Sequence, residues 1–215
     1  MTQVQQPKLQ HPDKFISVGA GEVTAEASFS RARLSGLDLG GLEAKNLSFD
    51  ESLLVSVGYG EARLEQLGLT DTELVRCDFA AARCSGSSFV RVRVTGGRLA
   101  GVDLSRSLLK DVIFQDCKLD MANFRFTKLA RVRFINCTLR ETDFQMAELT
   151  DVRFEACRLE KTAFDRCKLK DVDARGSQLF DIRGWQSLRG LTIDPVQLAV
   201  IAPELAAELG IVVEE

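Results

Sequence analysis

One histidine, His11, stands in the whole chain of 215 residues, and proline (four), tyrosine (one) and tryptophan (one) are nearly as scarce. A two-histidine zinc site is thereby excluded, and a histidine-based triad would depend on one residue in a polar leader outside the patterned chain. The six cysteines include no CxxC pair, which leaves thiolate metal sites and thioredoxin-type redox chemistry without support. No stretch approaches ~18 apolar residues, and the first twenty lack the charged, apolar, small-residue order of a signal peptide. The chain is expected to be soluble and cytoplasmic. With 45% hydrophobic and 27% charged residues and a formal net charge of −3, it has enough apolar material to bury a core.

Neither the helical period of 3.6 nor the strand period of 2 fits for long between residues 27 and 180, but a period of five fits throughout. Every fifth residue from Phe29 to Leu179 gives 31 positions, and none is charged. At 27% charge, chance would leave them all uncharged roughly once in ten thousand chains or less. The register never slips. Two residues earlier the side chain is small, as at Ala27, Val57, Cys77, Ala82, Gly97, Val112, Cys137 and Val172. Residues two apart in extended backbone point the same way, so the large position i and the small position i−2 face inward while i−1 faces out. The pair i+1 and i+2 is polar or Gly in most repeats and suits a corner.

Segments such as Cys77-Asp78-Phe79, Val102-Asp103-Leu104, Ala122-Asn123-Phe124 and Thr142-Asp143-Phe144 carry a small residue, an acidic or amide residue, then Leu or Phe. This pattern resembles the pentapeptide-repeat family. The resemblance implies an all-β solenoid, a right-handed quadrilateral β-helix with four pentapeptides and 20 residues per coil, hence about 8 coils. Residues 20 apart should then share a column, and Phe114, Phe134 and Phe154 match, as do Phe124, Phe144 and Phe164. Coils at the ~4.8 Å strand spacing make the 31 repeats about 37 Å long. Five cysteines (Cys77, Cys117, Cys137, Cys157, Cys167) occupy i−2 and Cys84 occupies i, which reads as small core filler. Glycines at 19, 21, 96 and 97 lack the lysine and helix start of a phosphate loop and read as tight corners.

The chain divides into a leader or cap over residues 1–24, the β-helix over 25–183, and a helical cap and dimerisation segment over 184–215. A solenoid exposes its last coil unless something covers it. Asp194 suits an N-cap, Pro195 the first helical position and Gln197 the third, as in a capping box. Leu198, Ile201, Leu205 and Leu209 follow at helical spacing, Gly210 is a stop, and Pro203 is expected to divide the stretch into two short helices. This ending is similar to the C-terminal cap of bacterial family members, several of which pair end to end through it, so the resemblance implies a homodimer. Phe180 and Trp185 read as cap packing.

Charge is unevenly spread: residues 1–26, 27–75, 76–170 and 171–215 sum to −1, −4, +7 and −5. Asp111, Arg131 and Asp151 fall in one outward column, and Glu141, Lys161 and Asp181 in another, so part of the charge is laddered locally. Phe126 and Met146, both i+2, break the polar rule beside Arg106, Arg125 and Arg166, a composition that interface cores favour.

No nucleophile with its base, isolated carboxylate pair, phosphate loop or metal set emerges, so no enzyme, cofactor or metal site is expected. The resemblance to the quinolone-resistance kind (Qnr and MfpA) and to toxin self-resistance members implies a partial DNA mimic that binds DNA gyrase or topoisomerase IV. The unbroken register favours the loop-free form. Contact is then expected on Asp38, Glu43, Asp50, Glu51, Asp171, Asp173 and Asp181, because the middle of the rod is basic. The alternative is a scaffold binding a non-topoisomerase partner through the Phe126/Met146/Arg patch. Direct nucleic-acid binding is not expected, since aromatics interleaved with basic residues are scarce outside Arg125-Phe126.

Overall fold

In the computed structural model, which describes residues 3–213, residues 20 apart pair side by side in parallel along the chain, as in Leu109↔Leu129 and Phe134↔Phe154. The result is a parallel β-solenoid of about nine turns ending in one helix. Each coil has four sides. In the coil of residues 107–126 they centre on Leu109, Phe114, Leu119 and Phe124. The first two sides form eight-residue strands in five successive coils, Gly68–Val75, Ser88–Thr95, Leu108–Gln115, Lys128–Ile135 and Glu148–Glu155. On the third and fourth sides single parallel bridges such as Lys118↔Thr138 and Asp103↔Asn123 hold the coils together.

Every i+2 residue from Arg31 to Asp181 has a positive φ, 57° at Asp111 and 58° at Phe126 for example. The left-handed conformation makes the corner, and only six of these residues, such as Gly36 and Gly96, are glycine. No Val, Ile or Thr occupies an i+2 position over this span, because a branched β-carbon is the side chain least compatible with that backbone. Gly97 is not a corner. It sits at i−2, where an added Cβ would stand 2.8 Å from Leu99 Cδ1 and 3.0 Å from Val94 Cγ1.

Inside, the aromatic columns stack. Phe114, Phe134 and Phe154 lie 5.2 and 5.1 Å apart between centroids, Phe124, Phe144 and Phe164 5.0 and 5.2 Å apart, and the two columns meet edge to face. Most polar i−2 residues are buried with their hydroxyls bonded to carbonyls of the preceding coil: Thr127 Oγ1 donates to Leu104 O (2.8 Å), Thr142 to Leu119 O (2.9 Å) and Ser177 Oγ to Phe154 O (2.9 Å). The six cysteines are free and buried, and Cys117, Cys137 and Cys157 point their thiols at the matching carbonyls of Val94, Phe114 and Phe134. Burial pushes the Cys84 and Cys167 thiols up to about 12, so they stay protonated.

Both open ends of the sheet are covered. Ile16–Ser17 pairs with Ala32–Arg33 at the first coil, and Leu191–Thr192 pairs with Val172–Asp173 at the last, so the sheet reaches beyond 25–183 on each side. Gly184 (φ 82°) marks the end of the register: a Cβ there would fall 2.6 Å from the Asp165 backbone nitrogen. The terminal helix, Pro195–Glu208, is one helix and not two. Pro203 removes a single N–H that would have bonded to Ala199, both residues lie on the exposed side, and Ile201 and Leu205 on the other side pack on the cap. The capping box forms as expected, with Asp194 N–H donating to Gln197 Oε1 (2.8 Å) and Gln197 N–H to Asp194 Oδ1 (3.0 Å). Gln197 also donates through Nε2 to Ala174 O (2.7 Å) and Ser177 O (2.6 Å), where a further coil would otherwise bond. Gly210 (φ 71°) ends the helix, with Ile211 N–H on Ala206 O and Gly210 N–H on Ala207 O. The outermost residues of the leader and of the terminal segment, 1–2 and 214–215, lie outside the described residues. Among the described residues no helix is long and apolar enough to cross a membrane.

One core atom is out of place. Tyr59 stacks on Phe79 at 4.9 Å, but its hydroxyl is buried without a hydrogen-bond partner, and burial pushes its pKa up. Tyr59→Phe should raise stability by about 1 kcal/mol in urea unfolding. A loss of stability would show that the hydroxyl is bonded in solution.

Candidate interaction surfaces

The corner between the fourth and first sides carries Asn46, Gln66, Gly86, Arg106, Phe126, Met146 and Arg166 in successive coils. Backbone bonds fix the alignment: Arg106 N–H donates to Arg125 O (2.9 Å), Phe126 N–H to Gln145 O (3.1 Å) and Met146 N–H to Asp165 O (2.9 Å). The patch expected from the sequence is therefore one continuous edge. Phe126 is 45% exposed and Met146 36%. The guanidinium carbons of Arg106 and Arg125 stand 5.7 and 6.0 Å from the Phe126 ring centroid, so two cations hold the ring. Arg125 also lies 3.9 Å from Asp143, and Arg166 N–H donates to Ser187 Oγ (2.8 Å). Leu108, on the adjoining first side, is a further exposed apolar residue of this region. It occupies an i−1 position, and its signal in the sequence is that i−1 should be polar on an outward side.

Phe126 and Met146 stand in left-handed backbone, φ 58° and 59°, a conformation that costs a bulky residue about 1 kcal/mol. Neither side chain returns that cost by burial in the core. Every non-glycine corner of the rod carries a similar cost, and what sets this edge apart is its exposed apolar pair among arginines.

The acidic residues do not come together. Asp50 lies on the first side, Glu51 and Asp171 on the corner after it, Asp173 on the second, Asp38 on the third, Asp181 on the next corner and Glu43 on the fourth. Several are already paired. Glu51 is 2.9 Å from Arg31 and Glu43 is 3.5 Å from Arg63. Asp173 is buried and bonded to Arg175 at 2.7 Å, and those bonds hold its carboxyl below the usual carboxylate range. Asp38 accepts from Gly40 N–H, and the Asp181 N–H donates to Glu204. Five residues per side turn the chain a quarter of the way round, which disperses charges that look clustered in sequence.

The terminal set divides by direction. Trp185 lines a small apolar cavity with Phe154, Phe164, Ile182 and Leu188, Ile201 is buried and Leu205 half-buried, while Leu198 (50%) and Leu209 (75%) are exposed, as are Val196 and Val200 on the other flank of the helix. Among the described residues no cluster of His, Cys, Asp or Glu could hold a metal ion.

Family models describing a pentapeptide repeat region and pentapeptide repeats match residues 107–183 and 87–125, on the same register that forms the coils. The chain is a pentapeptide-repeat protein. Among solved structures, this pentapeptide-repeat protein is similar to HetL, a pentapeptide repeat protein involved in heterocyst differentiation regulation from the cyanobacterium Nostoc sp. The two are 17% identical, with 81% of this chain and 92% of that one covered and a TM-score of 0.48. It is also similar to a trypsin-treated variant of QnrB1, a plasmid-mediated fluoroquinolone resistance protein, at 18% identity, with 92% and 95% covered and a TM-score of 0.46. No curated protein matches it in sequence.

Proposed function

We propose that this pentapeptide-repeat protein works in the cytoplasm by binding and not by catalysis, as a rod that holds the Arg106–Phe126–Met146–Arg166 edge against a protein partner. The observation that carries this reading is that edge: aligned by backbone bonds, exposed, and apolar between cations. Phe126→Asn puts a residue tolerant of left-handed backbone at the corner. It should leave the melting temperature unchanged or higher while partner recovery in a pull-down falls at least about tenfold, the size expected of an interface centre. Recovery equal to wild type would remove the reading.

A second reading concerns the partner class. The coils of residues 27–75 sum to −4, and Asp38 and Glu43 flank one corner of the first coil there. An acidic rod end suits a basic cleft built for duplex DNA, so DNA gyrase or topoisomerase IV is proposed as the partner, engaged by partial DNA mimicry and yielding resistance to quinolones or gyrase-targeting toxins. The scatter and pairing of the acidic set argue for a contact limited to the rod ends. Purified protein should inhibit gyrase supercoiling, or protect it from a fluoroquinolone or toxin. No effect in either assay refutes this partner.

The exposed apolar residues on the two flanks of the terminal helix, Val196 and Val200 on one and Leu198 and Leu209 on the other, are proposed to pair two rods end to end. Wild type should elute as a dimer in size-exclusion chromatography and Leu198→Glu with Leu209→Glu as a monomer. A monomeric wild type at high concentration would exclude the dimer.

A further inference from the structure

The leader does more than close the first coil. Its Lys8 N–H donates to Asp71 Oδ1 (3.0 Å) and its Gln5 N–H to Asp111 Oδ1 (3.2 Å), so it climbs back along the rod over the corner between the first and second sides. That corner column reads Asp71, Arg91, Asp111, Arg131, Asp151. The two aspartates that receive the leader are each gripped by the arginine one coil on: Arg91 Nε and Nη2 lie 2.7 and 2.5 Å from the Asp71 oxygens, and Arg131 Nε and Nη2 both 2.7 Å from those of Asp111. Burial alone would raise these carboxyls, but the arginine and the leader N–H outweigh it and hold both below their ordinary range, so they remain acceptors.

The spacing identifies the backbone form. Asp71 and Asp111 are two coils apart, about 9.6 Å at the parallel strand spacing, and three residues of chain reach at most about 10 Å. Residues 5–8 are therefore nearly fully extended. In a strand, N–H groups three apart point to opposite sides. In polyproline II, three residues make one turn of about 9.3 Å with every N–H free of internal bonds, so Gln5 and Lys8 face the same column. Pro7 between them suits that form. Val4 is the one buried side chain among residues 3–8. It borders a groove of about 360 Å³ with Ile113, Arg133, Arg153 and Glu155, and Arg93 donates to the Gln6 side chain.

The geometry points to a peptide-binding track on this corner: alternate carboxylates, each fixed by an arginine, accept the N–H groups of an extended segment at three-residue intervals, and residues 3–8 occupy the track in cis as a displaceable strap. Among the described residues one buried side chain, two main-chain bonds and the Arg93–Gln6 side-chain bond hold the strap, a small hold that places it at the low-stability end of the molecule. A partner segment with the same features, extended, with free N–H groups three apart and a small aliphatic residue next to one of them, would use the same acceptors. The first side separates this track from the Phe126 edge, so the inference does not rest on that partner.

Hydrogen exchange on the full chain tests the strap directly. The Gln5 and Lys8 amides should exchange at least about tenfold more slowly than those of Gln6 and Leu9, at all protein concentrations. Equal rates overturn the proposal, and protection that grows with concentration assigns the strap to a neighbouring copy and overturns its cis form. Gln5→Pro with Lys8→Pro keeps the polyproline backbone and deletes both donors. That full-length variant should bind a labelled synthetic peptide of residues 1–12 in fluorescence anisotropy at least about tenfold more tightly than wild type does, the loss expected when the track is already filled. Adding Asp71→Ala and Asp111→Ala should abolish the gain, with far-UV circular dichroism confirming that the coils remain. Binding by neither protein, or by both alike, would refute the track.

Discussion

Everything in this molecule depends on the hydrogen bond that ties one coil to the next. Because those bonds join residues 19 or 21 apart and hold residues 20 apart in register on all four sides, the spacing between coils is fixed by the backbone and cannot be adjusted by any one side chain. The ring stacking near 5 Å, the hydroxyls and thiols that find a carbonyl in the preceding coil, and the arginine that grips the aspartate one coil below are all consequences of that single distance. Left-handed corners are the toll for keeping it. Most are carried by a residue other than glycine, which local propensity alone would not sustain; a cooperative stack does, since no corner can relax without breaking the ladder on both sides.

The core was legible because inward positions recur every five residues and tolerate no charge. Phe114 and Phe134 could be assigned to one column from their numbers alone, and the cap could be placed from Asp194, Pro195 and Gln197. What could not be read follows from interactions that have no period. Gln197 was recognisable as part of a capping box, but its second task, bonding to Ala174 and Ser177, depends on how the helix lies across the last coil. Pro203 has the same helix-breaking chemistry in every sequence, and only the packing of Ile201 and Leu205 shows why one helix persists. The leader looked like an unpatterned polar stretch, yet Gln5 and Lys8 are positioned by main-chain atoms, which a sequence does not distinguish.

The candidate surfaces show the same division. Arg106, Phe126, Met146 and Arg166 are 20 apart, so their common edge was visible beforehand. The acidic residues come from two stretches of sequence and, Glu51 and Asp171 aside, from different residue classes modulo 20, and the coil distributes them around the rod, with Glu43, Glu51 and Asp173 each tied to an arginine. Net charge per segment is thus a poor guide to surface potential in a solenoid, where position within the coil decides what faces a partner.

The unbroken register also constrains how such a chain can change. Inserting or deleting a single pentapeptide leaves the core pattern intact but turns everything beyond it through one quarter of the circumference, carrying Phe126 away from Arg106 and Asp111 away from Asp71. A whole coil can be gained or lost with the columns preserved. Lineages of this rod can therefore lengthen in steps of twenty residues or alter single outward side chains, while shorter insertions and deletions would preserve folding and scramble recognition.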